Sequence, residues 1–373
     1  MKVVIVTQMD IFENLNYGGV IEANRHYQMC CDIYGKEEVG VIIVTSDNTK
    51  KSNDRIKYIY QKHSTLDVVI NCLALRVEMD KKTEKSIAEL VDLMNAEIVF
   101  FEASFWYRSL KLLKKNRKTI VFMHNIEKNY AWNRVKYKSI LTLPRYFACS
   151  YNEKKILKEA DKVICLTDRD SSGLKKMYGR KADMLLPITF QDQFNIEKIK
   201  RYEKSEDLQL LFVGSNFPPN AKGILWFVDK VMPKLKNCHL TIVGKGMEEY
   251  RNQIENDKIT VVGTVDNTSE YYYKADAMVM PIFWGDGMKL KTAEAMMYGK
   301  MIFATTEALV GYDIEKVTHI YTCNNENEFE GKINQIIDSK KYKKFYEDVR
   351  DNFLAHYETK QLESEFQKFM KGI

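Results

Sequence analysis

Short runs rich in Val and Ile set the limits on what this chain can fold into. The first half carries KVVIVT (2–7), VGVIIVT (39–45), EIVFFEA (97–103), TIVFMHN (119–125) and KVICLT (162–167). The second half carries LQLLFVG (208–214), HLTIVG (239–244), ITVVG (259–263), AMVMPI (277–282) and MIFATT (301–306). The runs are almost unbroken, and helical stretches separate them. Strands that are apolar on both sides belong in a parallel sheet covered by helices on both faces. At 373 residues the chain is too long for one ordinary core. The pattern breaks once, in the polar stretch ITFQDQFNIEKIKRYEKSED after Pro187. The sequence therefore predicts an α/β protein of two doubly wound, Rossmann-like domains, 1–190 and 191–355, facing across a cleft. The strongly helical tail 356–373 is expected to pack back on the first.

Three runs of the second half end directly in Gly, and a fourth meets Gly285 three residues on. In a parallel sheet such junctions share the carboxyl edge, where α/β folds bind ligands. One of them reads PIFWGDGMKLKTAEAMMYGK (281–300). Good helix formers start at Leu290, and Gly299 stands where a helix stops. Lys289 and Lys291 then occupy the helix start, whose partial positive charge disfavours each by roughly 0.3–1 kcal/mol. A bound anion removes that cost. Backbone N–H groups at a helix start together with a lysine are what a diphosphate requires. Gly214, Ser215 and Gly244 follow strands and are placed either to lie under a nucleotide or to make tight turns. Gly18 and Gly19 precede a helix, where they serve phosphate or acceptor approach or a plain loop. His124 closes an apolar strand, as a ligand contact or as a satisfied structural residue.

Composition excludes several classes. The chain is 45% hydrophobic and 29% charged, with 17 Gly and 6 Pro, which describes a globular protein. Seven scattered cysteines form no CxxC pair, and no run of 18 apolar residues exists. The apolar run after Met1-Lys2 is too short for a signal segment, so a cytoplasmic location, extending to the inner face of the membrane, is expected. Net charge is +6, but residues 106–147 hold eleven Lys or Arg and one acid, Glu127. That band, interleaved with Trp106, Tyr107, Leu110, Trp132, Ile140, Leu141 and Tyr146, is expected at an anionic membrane surface. No nucleic-acid module is present, and a Gly-lined rim has no use in binding one. Asp168-Arg169-Asp170 imitates a metal-binding DxD triplet. Thr167 followed by Asp170 reads instead as a helix cap, so no metal is predicted.

Asp286 and Glu294 stand seven residues apart around GMKLKTA, ahead of Ala295-Met296-Met297-Tyr298-Gly299-Lys300. This stretch resembles the E-x7-E and EAM-x-x-G motifs of retaining glycosyltransferases with two Rossmann-like domains, the GT-B fold. The type is group 1, or family 4, in its bacterial polysaccharide-assembly branch. NYGGV (16–20), FMHNIE (122–127), EADKVICLTDRDSSGLKKMYG (159–179) and FVGSNFPPNAKGILWFVDKVMPKL (212–235) are similar to that branch as well. The first acid is Asp where the family usually has Glu, and Ser215-Asn216 and Lys222 replace an Arg-x4-Lys pair.

The resemblance implies metal-independent transfer of a sugar from UDP or another nucleoside diphosphate to a hydroxyl of a saccharide or lipid-linked saccharide. The nucleotide sugar is the donor substrate, and no cofactor is implied. Lys289 and Lys291 would neutralise the leaving phosphate, and Glu294 would accept the ribose hydroxyls. Asp286 and the amides of Gly287 and Met288 would hold the sugar, with His124 also contacting it. No protein base is implied, because the leaving phosphate itself is thought to take the acceptor proton. Three rivals remain open: an epimerase acting on UDP-N-acetylglucosamine, a two-domain sugar-binding protein and a non-catalytic partner subunit of a transferase.

Overall fold

The computed structural model describes residues 1–13, 18–77, 79–137, 139–202, 205–285 and 287–373. The chain divides into two units, residues 1–187 with 363–373, and residues 188–362. Each is built on one parallel sheet.

In the first unit the strands are β1 (Val3–Thr7), β2 (Val39–Thr45), β3 (Ile56–Tyr60), β4 (Ile98–Phe101), β5 (Lys118–Met123), β6 (Lys162–Cys165) and β7 (Met184–Leu185). The helices are α1 (Gly18–Tyr34), α2 (Thr65–Leu73), α3 (Lys81–Leu93), α4 (Tyr107–Leu112), α5 (Glu127–Tyr137), α6 (Leu143–Glu159) and α7 (Asp168–Tyr178). Strand order is β3-β2-β1-β4-β5-β6-β7. The chain reverses its direction of winding between β1 and β4, so the crevice at the carboxyl edge opens there. β1 and β4 are wholly buried, which is why their sequences carry no polar alternation. β3 reads IKYIY and is half-buried at the sheet edge. Its weak apolar signal and the two-residue length of β7 kept both out of the sequence reading.

Helix ends follow local chemistry. Ser64 and Asp67 form a reciprocal capping box on α2. Thr167 is the N-cap of α7, accepting from Asp170 N (3.0 Å) and donating to Asp170 Oδ2 (2.7 Å). The DxD-like triplet is thus a helix start. Among the described residues no group of three His, Cys, Asp or Glu is arranged to hold a metal ion.

In the second unit the strands are β8 (Leu208–Val213), β9 (Cys238–Val243), β10 (Ile259–Gly263), β11 (Ala277–Met280), β12 (Met301–Ala304) and β13 (Ile320–Thr322). The helices are α8 (Ile196–Ile199), α9 (Pro218–Lys230), α10 (Arg251–Ile254), α11 (Ser269–Lys274), α12 (Leu290–Met297), α13 (Glu326–Ser339) and α14 (Glu347–His356). The order β10-β9-β8-β11-β12-β13 reverses between β8 and β11. The three-residue edge strand β13 is the one absent from the sequence reading.

The closing helix α15 (Thr359–Lys371) begins in the second unit and ends in the first. Phe366 and Met370 are buried, Phe366 meets Phe100 edge-on at 6.5 Å, and Tyr34 Oη donates to Met370 O (3.1 Å).

The basic band is not one surface. Lys114 and Arg117 pair with Asp92 at 3.0 and 2.5 Å, and Arg117 Nε donates to Ala96 O beside the amino end of β4. Lys118 opens β5, whereas α5 leaves the opposite, carboxyl end. Trp106, Tyr107 and Leu110, expected at an interface, are buried in the first unit's core because the turn Ser104–Trp106 and α4 pack inward on the sheet.

Candidate active site

In the second unit the site assembles at the β8/β11 crevice. Leu290 to Met297 make α12, with Lys289 as its N-cap and Gly299 at φ +58° ending it. The two lysines of the first turn meet different partners. Lys289 Nζ pairs with Glu307 Oε1 at 2.7 Å and donates to Gly287 O at 3.0 Å. Its charge is already balanced. Lys291 Nζ donates to Asn220 Oδ1 (2.6 Å) near the start of α9 and lies 5.1 Å from the Phe212 ring centroid. Among the described residues no carboxylate forms an ion pair with it. Burial, then the neighbouring Lys289 charge, pushes its pKa down to about 7, with Glu294 opposing.

Gly214 explains how Lys291 reaches the strand end. A Cβ at Gly214 would stand 2.8 Å from Lys291 Nζ and 3.0 Å from the Phe212 ring, so any side chain there displaces the ammonium. Gly214 N donates to Val243 O, and Asn220 Nδ2 donates to Ser215 O (3.1 Å). Gly244 sits against the Gly214 carbonyl, where a Cβ would meet it at 2.2 Å. Gly214, Ser215, Gly244 and Lys291 therefore come together. Met288 is buried and Gly287 has φ +63°. Asp286 lies outside the described residues.

Glu294 faces α11, accepting from Thr268 Oγ1 (3.0 Å) and from Tyr272 Oη (2.9 Å). Burial raises its pKa, and the two hydrogen bonds oppose the rise. Tyr272 is itself buried and stacked on Tyr298 at 4.7 Å. The carboxylate is thus held in one orientation.

The first unit holds its own cluster at the β1/β4 crevice. Glu102, directly after β4, is fully buried and binds two histidines: His26 Nδ1 donates to its Oε1 (2.9 Å) and His124 Nε2 to its Oε2 (2.8 Å). Burial alone would raise the Glu102 pKa, but the His26 charge and the two hydrogen bonds bring it down to about 2. A carboxylate has no proton to give, so both ring nitrogens facing it carry N–H. Burial lowers the His26 pKa, Glu102 and then Glu22 more than offset it, and the net shift is upward. Among the described residues His26 Nε2 has no hydrogen-bond partner, and it faces Glu22 Oε1 at 3.7 Å. Gly18 and Gly19 open α1, and a Cβ at Gly19 would touch Met9 Sδ at 3.0 Å. Residues 14–17, with the start of NYGGV, lie outside the described residues.

Sequence reasoning named His124 and passed over Glu102 and His26. An acid at the end of the wholly apolar strand EIVFFE was the available signal for Glu102. It also passed over Asn220 and Glu307, for which no local signal exists.

Residues 207–339 match the family model described as glycosyl transferases group 1. Over those residues the second unit is similar to group 1 glycosyltransferases, and each unit has the parallel-sheet α/β fold found in GT-B structures. No curated protein sequence gives a significant match. Among solved structures, sucrose-phosphate synthase from Thermosynechococcus elongatus is similar with a TM-score of 0.75 at 14% identity, covering 100% of this chain and 99% of that one. Anabaena HepE in complex with UDP is similar at 0.68 and 11%. WaaG, a glycosyltransferase involved in lipopolysaccharide biosynthesis, is similar at 0.68 and 13%. Both of these alignments cover 100% of each chain. Among the described residues no helix is long and apolar enough to cross a membrane.

Proposed function

We propose that this protein moves a sugar from a nucleoside diphosphate sugar to a hydroxyl of a saccharide acceptor, free or lipid-linked, with retention of configuration and without a metal ion. The observation that carries the reading is Lys291: a part-buried ammonium in the first turn of α12, beside a glycine-lined strand end, with no ion-paired carboxylate among the described residues. A diphosphate supplies that balance. As the bond to the sugar breaks, charge grows on the leaving phosphate, and Lys291 stabilises it more than it stabilises the intact donor. Lys289 shares its charge with Glu307, so its contribution is the smaller.

Glu294 is assigned to the ribose hydroxyls. Each of its oxygens accepts one bond, and each has capacity for a second. The backbone from Gly214 to Ser215, with Gly244, is assigned to the nucleotide. Asp286 and the amides of Gly287 and Met288 are assigned to the sugar, with His124 as a further contact. Gly18 and Gly19 are assigned to the approach to α1. No side chain is assigned as base, since the leaving phosphate takes the acceptor proton on the same face.

UDP, seen with HepE, is the first nucleotide to test. In a thermal-shift series of UDP, GDP, ADP and their sugars, the true ligand at 100 times its Kd adds about 2.7 kcal/mol of stability. Lys291→Met should then lower turnover by roughly 100-fold or more with the fold intact. Turnover should persist in EDTA and require an acceptor. No shift with any nucleotide, or donor breakdown at full rate without acceptor, rejects the transfer reading.

A further inference from the structure

Four elements of the first unit lie side by side: α2, α5, the short turn Ile140–Thr142 and α6. Cys72 of α2, Ala131 of α5, and Ala148 and Cys149 of α6 share one small buried cluster, with Val68 and Tyr146 packed against it. With the inner side of α2 so occupied, its other apolar side chains point to solvent. Leu66, Val69, Ile70 and Leu73 recur at i, i+3, i+4 and i+7, one face of a helix, and all are exposed, Leu66 by 74%. A helix ordinarily turns such a stripe to a core. Ile140 (67% exposed), Leu141 (80%), Trp132 and Phe147 extend the apolar surface over the neighbouring elements. Trp132, Tyr146 and Phe147 adjoin ring to ring at 5.3 Å.

Charge selects the partner. On α5, Lys128, Trp132 and Lys136 recur every four residues, so they share a face. Residues 128–155 carry seven Lys or Arg and one acid, Glu153, which is buried. The acid of α2, Asp67, is engaged by Ser64 N and Oγ in capping the helix. Glu159 lies at the far end of α6, where Tyr107 Oη donates to it. Nucleic acid would leave the leucines in water, and protein interface cores are depleted in lysine. An anionic bilayer satisfies both kinds of group: leucine and tryptophan enter the headgroup boundary while lysine and arginine meet lipid phosphate.

We propose that this surface docks the first unit on an anionic lipid bilayer. It differs from the band read in the sequence, since the half at Lys114–Lys118 is excluded and α2, outside that band, supplies the longest apolar stripe. The inference rests on the first unit's surface and not on the transfer reading.

The test is co-sedimentation of the full chain with phosphatidylcholine vesicles and with vesicles containing about one-third phosphatidylglycerol, at ~0.05 M and ~0.5 M salt. Binding is expected with the anionic vesicles at low salt only. The double substitution Ile70→Glu with Leu141→Glu should weaken it at least ~10-fold, and Lys128→Gln with Lys136→Gln several-fold. Both variants should keep the wild-type melting temperature and nucleotide-induced shift, which separates failure of this surface from failure of the catalytic site. No binding to anionic vesicles overturns the proposal, as does binding that both double variants leave unchanged. A protein dimer dispersed by Ile70→Glu and Leu141→Glu, without vesicle binding, assigns the surface to a second copy and overturns it too.

Discussion

Lys291, part-buried, and Glu102, fully buried, are charges stabilised to different degrees. Glu102 has two imidazoles against it and stays ionised. Lys291 has an amide oxygen and a ring face, and its pKa falls to about 7. A bound diphosphate favours the charged form, so binding must raise that pKa again. Affinity for a nucleoside diphosphate sugar should therefore be level below pH ~7 and weaken above it, by up to about tenfold per pH unit until the bound-state pKa is reached. Calorimetric titration between pH ~6.5 and ~9 checks this, and Lys291→Met should give a flat profile. A flat wild-type profile would remove the charge on Lys291 from the binding step. Glu102→Gln keeps the size but offers one acceptor oxygen for two histidines. Turnover should fall roughly tenfold or more, about 1.4 kcal/mol, with nucleotide affinity unchanged and the imidazole nitrogen resonances of His26 and His124 altered. Unaltered resonances with normal turnover would make Glu102 a packing residue only.

At the scale of elements, α12 is fastened at the end opposite its lysines. Arg350 Nη1 donates to Met297 O (2.8 Å), the guanidinium pairs with Asp192, and it lies over Phe194 at 4.8 Å. Arg350→Ala leaves Asp192 and the last carbonyl of α12 without this partner, so the second unit should lose about 2–4 kcal/mol in denaturant unfolding. A loss below ~0.5 kcal/mol would show that α12 is held by its apolar face alone. α12 could be read in the sequence because its signals are local: helix formers from Leu290, a glycine stop, and lysines against the helix dipole. The inner strands were legible because burial on both faces leaves an unbroken apolar run. β3, β7 and β13 were not, since edge strands are short or half-buried and their sequences look like loop. The partners of the site residues were hidden for another reason. Lys291 meets Asn220 across 71 residues and His26 meets Glu102 across 76, distances at which spacing carries no information. Gly223 shows the same limit: a Cβ there would lie 1.8 Å from Pro281 O, a close approach of α9 to the chain leaving β11 that no local pattern announces.

For the whole molecule, the buried ionisable groups give the two units opposite responses to rising pH, in different pH windows. In the first unit, burial raises the Glu153 pKa to about 7 despite hydrogen bonds from Tyr178 Oη and Glu127 N. A carboxyl with a raised folded pKa binds more protons folded than unfolded, so its contribution falls as pH rises from ~4.5 to ~7. His26, also raised, contributes fully below ~6.5 and loses that contribution as pH rises through its folded pKa. In the second unit Lys300, with Nζ donating to Ala275 O at 3.0 Å, is pushed down to about 7 by burial and then by Lys344. Lys291 is lowered to the same value. Between pH ~7 and ~10.5 the unfolded state holds protons that these folded lysines release, so stability rises with pH, by up to about 1.4 kcal/mol per unit for each. A two-unit protein need not unfold in one step. Scanning calorimetry should show one transition moving down as pH rises from ~4.5 to ~7 and another moving up from pH ~7 to ~9. The rising transition is also the one that nucleoside diphosphate sugar should shift upward and that Lys291→Met with Lys300→Met should make insensitive to pH. If the nucleotide-responsive transition does not rise between pH ~7 and ~9, the lysines are charged in the folded protein, and Lys291 is then balanced by something other than the diphosphate assigned to it.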